Sequence, residues 1–286
     1  MAPTLPLFAL TVLSLAAPSA QFTTYEDGSC RLIGDPDVYG VGVRISYYLA
    51  FFSGVIALAA CNHRAVEDVK KGTTIIGFAI LIVLIRNAVQ GSLAVFEWDL
   101  VFTMVFLLMS IAFIPLTIMG SRNSSAALCL VYGLYAVLLP WIFFTLADQG
   151  RREDCELKAF LFAYFDFYNI HWVAFLKALS VFSCLTGIIF IVAGFALLVY
   201  RLTADDGDDK ADIDDDMRSG FVALAIVALV IGVITIVFTE KLISGNDVDL
   251  SDDSLGSTNQ LIPFLVGLFT LMSTIWTVFD DIRKGE

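Results

Sequence analysis

Three cations stand inside long apolar runs of this chain. Arg44 lies in 41–60, Arg86 in 73–96 and Lys177 in 174–200. A full charge at mid-bilayer costs about 2.5–3.5 kcal/mol on insertion scales, so charges in such runs mark an interior with a function or a binding partner. Arg44 and Lys177 fall in the first turns of their runs. Arg86 stands deeper, about 20 Å along at 1.5 Å per residue, where its side chain is least able to reach water. Asn87 and Gln90 follow Arg86 at i+1 and i+4, which puts a polar stripe on that helix. Acidic partners at similar depth are Glu97, Asp99, Asp166 and Glu240, with Asp35 and Asp37 entering from the N-terminal side. Arg44, Arg86, Asn87, Gln90, Asp99, Asp166 and Lys177 are therefore the candidate ligand-binding residues, around an outward-facing polar pocket. The other reading is a buried ion-pair network, Arg86 with Asp99 for example, that fixes helix register and binds nothing.

The elements that must position these residues follow from composition. The chain has 286 residues, 58% hydrophobic and only 16% charged, against about 25% charged in soluble domains. Apolar runs of roughly 20 residues match a bilayer core of about 30 Å. They fall near 41–60, 73–96, 99–120, 126–147, 174–200, 220–239 and 261–279. Continuous runs of that length satisfy their backbone in lipid as helices, because barrel strands are shorter and alternate. The expectation is an all-α polytopic protein, a seven-transmembrane helix bundle. Its net charge of −12 disfavours nucleic acid and anionic surfaces as electrostatic partners, leaving the lipid bilayer and a small-molecule or anion ligand.

Residues 1–20 end in Ala17-Pro18-Ser19-Ala20 after an apolar stretch and read as a signal peptide. Cleavage near Ala20 leaves 21–40 as an extracellular or lumenal N-terminal segment. Arg64, Lys70, Lys71, Arg122, Arg201, Lys210, Arg218, Arg283 and Lys284 then lie on the inner side. Arg31, Arg151, Arg152, Lys158 and Lys241 lie outside. This excess on the inner side agrees with an outside N-terminus and a cytoplasmic C-terminus. The sequon at Asn123 falls in a short inner loop and is expected to stay bare. The location expected is the secretory route, at the plasma membrane.

Of five cysteines, Cys30 and Cys155 share the oxidising compartment and are the expected disulfide. The loop 201–219 carries eight aspartates with no EF-hand register, and reads as a solvated acidic linker. Only two histidines are present, His63 and His171, on opposite sides, so no metal site is expected, and no cofactor. The aromatic segment Phe160 to Trp172 reads as an interfacial helix, with a lid over an apolar site as the alternative. Ser180, Cys184, Gly187 and Gly194 share one side of their run and suit close helix packing.

The stretch from Cys30 to Tyr48, with Asp35-Pro36-Asp37 and Gly40-Val41-Gly42-Val43-Arg44, resembles the N-terminal element of a group of uncharacterised fungal multi-pass membrane proteins. That resemblance covers under a tenth of the chain and implies a fungal source and a multi-pass fold. Physically, Asp35-Pro36-Asp37 is a turn before a helix, and Gly40 and Gly42 permit close backbone approach.

No nucleophile elbow, paired intramembrane aspartates, desaturase histidines, HExxH or usable DDxxD is found. The function expected is a receptor-like sensor of a small extracellular ligand. One alternative is an anion-selective channel or transporter with the three cations as its vestibule. A second is a membrane-embedded cyclase of a fungal biosynthetic pathway, using a carboxyl among Glu97, Asp99, Asp166 and Glu240.

Overall fold

A computed structural model describes residues 30, 32–90, 95–112, 122–146, 155–160, 162–203, 215–250, 255 and 257–284. The signal-peptide region 1–20 and most of the acidic loop 201–219 lie outside them. The chain is mostly helical. A single turn, α1 (Pro36–Tyr39), leads into α2 (Val41–Ala59), α3 (His63–Gln90), α4 (Val95–Ala112) and α5 (Arg122–Thr145). A hairpin of β1 (Lys158–Phe160) and β2 (Tyr164–Asp166) precedes α6 (Ile170–Thr203), α7 (Asp215–Gly245) and α8 (Thr258–Lys284). Stretches within α2, α5, α6, α7 and α8 are long and apolar enough to cross a membrane. This is a helical membrane protein. Helices α3 and α4, of 28 and 18 residues, fall on the other two apolar runs.

Burial separates the helices by role. The apolar window of α2 is 61% buried, whereas those of α6 and α8 are 11% buried. So much exposed Phe, Leu and Ile is stable only where lipid covers it. Helix α2 sits centrally because its two faces differ in size. Gly42, Ser46, Ala50, Ser53 and Ala57 are buried at helical spacing and form a small-residue face. Along it α8 approaches so closely that a Cβ on Gly267 would lie 2.7 Å from Ser46 Cα. Tyr47 and Phe51 project from α2 into the core, and the Phe51 ring occupies the space a side chain at Gly232 of α7 would need. Helices α5 and α6 pair in the same way through Gly133, Gly187 and Gly194. The small stripe of Gly187 and Gly194 thus serves packing.

Two expectations are corrected. The segment after Cys155 is not an interfacial helix. Lys158–Phe160 and Tyr164–Asp166 form an antiparallel hairpin, Ala159 opposite Phe165, and helix begins only at Ile170. Aromatic residues favour a pleated, half-buried surface, and Asn246 supplies the latch: its side chain accepts from Lys158 N at 2.6 Å and donates to Lys158 O at 2.7 Å. The boundary of one run also shifts: the run expected to begin at 99 is helical from Val95, so that Glu97 and Trp98 lie in the first turn of α4. The expected Cys30–Cys155 disulfide is present, with Cα atoms 5.3 Å apart.

Candidate functional site: a polar clasp around the start of α2

The polar side chains of the helical body gather at two ends. At the far end, Asn62 donates to Asp281 at 2.6 Å, Arg64 lies 3.7 Å from the same carboxylate, and Lys70 Nζ is 3.3 Å from Ser125 Oγ. The richer set is at the Cys30 end, where the segment 32–44 is wedged among α3, α4, α7 and α8. Its backbone is first pinned at Asp249, which accepts from Gly34 N at 3.1 Å and donates to Leu32 O at 2.7 Å.

From there Asp35, Tyr39, Gly42 and Arg44 each make a contact with a different helix. The Asp35 carboxylate accepts from Asn87 Nδ2 of α3 at 2.7 Å. The Tyr39 hydroxyl donates to Glu97 Oε1 of α4 at 2.5 Å and accepts from Asp35 N at 3.0 Å. Tyr39 and Glu97 are both buried. Burial, reinforced by the Glu97 charge, holds the phenol well above its ordinary pKa, so it remains a donor. Gln260 of α8 bridges the turn, accepting from Gly42 N at 2.8 Å and donating to Pro36 O at 2.9 Å. A Cβ at Gly42 would lie 2.0 Å from Gln260 O, so only glycine permits this approach. Arg44 donates to Tyr39 O at 2.9 Å, and its Nε lies 3.1 Å from Glu240 Oε1 of α7. Tyr48 donates to the same carboxylate oxygen at 2.7 Å.

Of the residues singled out from sequence, the structure brings Arg44 and Asn87 into this clasp. Arg86, beside Asn87 and about 100° around α3 from it, is exposed, next to the exposed stripe of Ile75, Phe78, Ile82 and Ile85. Lys177 is half-buried with Nζ 5.5 Å over the Phe144 ring. Asp99 is half-buried in the second turn of α4, and Asp166 is exposed at the end of the hairpin, where it accepts from Tyr168 N at 3.0 Å. Gln90 closes α3, and its side chain lies outside the described residues. Tyr39, Tyr48 and Gln260 went unnoticed in the sequence as members of the site. The signal available for Gln260 was a polar amide immediately before an apolar run.

No protein-family model matches this chain, and neither a curated protein nor a solved structure does.

Chemically, the clasp combines one buried guanidinium, the buried carboxyl of Glu97, the carboxylates of Asp35 and Glu240, two phenols and the side-chain amides of Asn87 and Gln260. Among the described residues no group of His, Cys, Asp and Glu is arranged to hold a metal ion. Directly below, Tyr47, Phe51, Leu100 and Met104 are buried in the bundle core. The site is thus a closed polar cap over an apolar interior.

Proposed function

We propose that this chain is a seven-span plasma-membrane protein with an outside N-terminus, and that it acts as a receptor-like sensor of a small extracellular ligand. The observation that carries the reading is that one short segment, 35–44, holds α3, α4, α7 and α8 together through single polar contacts. A polar or anionic ligand that competes for Arg44 or Glu240 changes how those four helices meet. A ligand acts on such an equilibrium only through different affinity for its two states. The apolar filling beneath the clasp favours sensing over conduction, because a pore needs polar lining through the bundle.

The test is hydrogen exchange of 201–219 in protein reconstituted in nanodiscs, with citrate, glutamate or inorganic phosphate added. Sensing predicts that one of these probes changes exchange in that loop and that Arg44→Gln removes the response. Anion flux through proteoliposomes, with exchange in 201–219 unaltered by all three probes, would replace the sensor with the channel.

A further inference from the structure

The hairpin of β1 and β2 takes no part in the clasp, yet its anchors fix how it lies on α7. Its base is held at the end of that helix, where the Asn246 side chain bonds both Lys158 N and Lys158 O. Two residues further along β1 the Phe160 ring packs on Phe238 of α7, with centroids 5.4 Å apart. On the returning strand the Tyr164 ring covers Gly245, where a Cβ would lie 2.3 Å from it, and the Tyr164 hydroxyl donates to Lys241 O at 3.1 Å. β1 therefore runs from the end of α7 back toward the apolar middle of the helix, and the turn that joins the two strands leads the same way.

The sequence of α7 sets the depth that this turn reaches. From Ser219 to Thr239 the helix carries no charge, and at 1.5 Å per residue that stretch is about 30 Å long, the thickness of a bilayer core. Glu240 and Lys241, which end it, mark the headgroup boundary, so Phe238 lies just inside the hydrocarbon. Phe160 already reaches Phe238, and Phe162, in the turn beyond it, is 91% exposed. Below Phe238 the same face of α7 continues through Ile234, Ile231 and Val227, at i−4, i−7 and i−11, and all three are exposed. The hairpin thus caps the upper end of a bare apolar stripe. Next to it, at the start of α6, Ile170 and Phe175 are exposed as well, and Trp172 stacks on Phe175, as suits side chains at a membrane boundary.

We propose that the hairpin is a lipid-inserted anchor: its turn, led by Phe162, dips among the acyl chains of the leaflet at the clasp end, at the head of the α7 stripe. The occupant of this surface is lipid hydrocarbon, because the stripe it continues is part of the lipid-facing surface of a membrane span. A Phe ring left in water forgoes the burial that acyl chains supply. The proposal rests on the chain being a membrane protein and is independent of the sensor reading. Since the Cys30–Cys155 disulfide joins the approach to the hairpin with the approach to the clasp, the anchor also fixes the clasp's height above the leaflet.

The experiment is photo-cross-linking of the full chain in phosphatidylcholine nanodiscs, with p-benzoylphenylalanine introduced in place of Phe162 or, as the comparison, in place of Glu156. Both side chains are exposed, so neither replacement disturbs packing, and monodisperse elution establishes folding. After irradiation, mass spectrometry of the purified protein reads the adducts. The substitution at Phe162 is expected to give at least about fivefold more phosphatidylcholine adduct than the one at Glu156, with fragmentation placing the new bond on an acyl chain. Equal lipid adduct at the two positions overturns the proposal, as does a bond confined to the headgroup. Cross-linked dimer as the main product at Phe162 overturns it in favour of a second copy of the chain on this surface.

Discussion

Replacing Tyr39 with Phe removes one oxygen atom from the middle of the clasp. The ring fits as before, since Tyr39 is fully buried and Phe has the same outline. Two hydrogen bonds go: the one donated to Glu97 at 2.5 Å and the one accepted from Asp35 N at 3.0 Å. A bond to a charged group contributes about 1.5–3 kcal/mol net and a neutral one about 1 kcal/mol. The expected loss is therefore about 2–4 kcal/mol, a large part of a typical folding free energy. Tyr48→Phe is the internal comparison. It also removes a phenol from a carboxylate, Glu240 at 2.7 Å, but in an exposed setting, so its cost is expected to stay below about 1 kcal/mol. Unfolding by SDS in mixed micelles, followed by tryptophan fluorescence, measures both. Glu97→Gln combined with Tyr39→Phe should show a coupling of about 1–2 kcal/mol, since the two residues share one bond. A loss under 1 kcal/mol for Tyr39→Phe, or none beyond that of Tyr48→Phe, would refute the claim that the clasp holds the helices together.

Gly42→Val should prevent α8 from seating, because the new Cβ meets Gln260 O at 2.0 Å and backbone cannot yield as a flexible side chain does. The expected outcome is destabilisation by about 1–3 kcal/mol or more, seen as aggregation on size-exclusion chromatography. Lys70 should give the protein a distinctive alkaline dependence. Burial, partly offset by Glu67, brings its pKa down to about 8. The folded state then binds fewer protons than the unfolded state between that value and the ordinary 10.5, so stability rises with pH across this window. From pH 7 to 9.5 wild type should gain on the order of 1–2 kcal/mol relative to Lys70→Met, measured by SDS titration at each pH. Parallel pH profiles for the two proteins would show that Lys70 does not titrate in this window.

Much of the architecture was legible along the chain, because hydropathy is a property of segments. Runs of roughly 20 apolar residues can satisfy their backbone in lipid only as helices, and among the described residues a helix lies on each run, five of them long and apolar enough to cross a membrane. The disulfide was also legible, because compartment left Cys30 and Cys155 as the pair. The hairpin was not. The thirteen residues from Phe160 to Trp172, rich in aromatics, fit an interfacial helix as well as two strands, and the latch that decides it, Asn246, lies 88 residues beyond Lys158. Arg86 shows a different limit: its sequence position sets its depth along α3, but whether it faces the clasp or the lipid depends on which side of α3 meets α2, α5 and α8.

By itself the sequence determined that the chain is a helical membrane protein, that Cys30 and Cys155 pair, and that the start of α2 is built for close approach. Those features depend on local composition and on the energy of placing each segment in water or lipid. Only the tertiary structure decided that Asn87, Glu97, Glu240 and Gln260, scattered over some 170 residues, converge on the segment 35–44. It alone also turned Arg86 to the outside. Such choices depend on helix azimuth and pairing, which are set where small faces such as that of α2 let one backbone reach another, and no single helix carries that information.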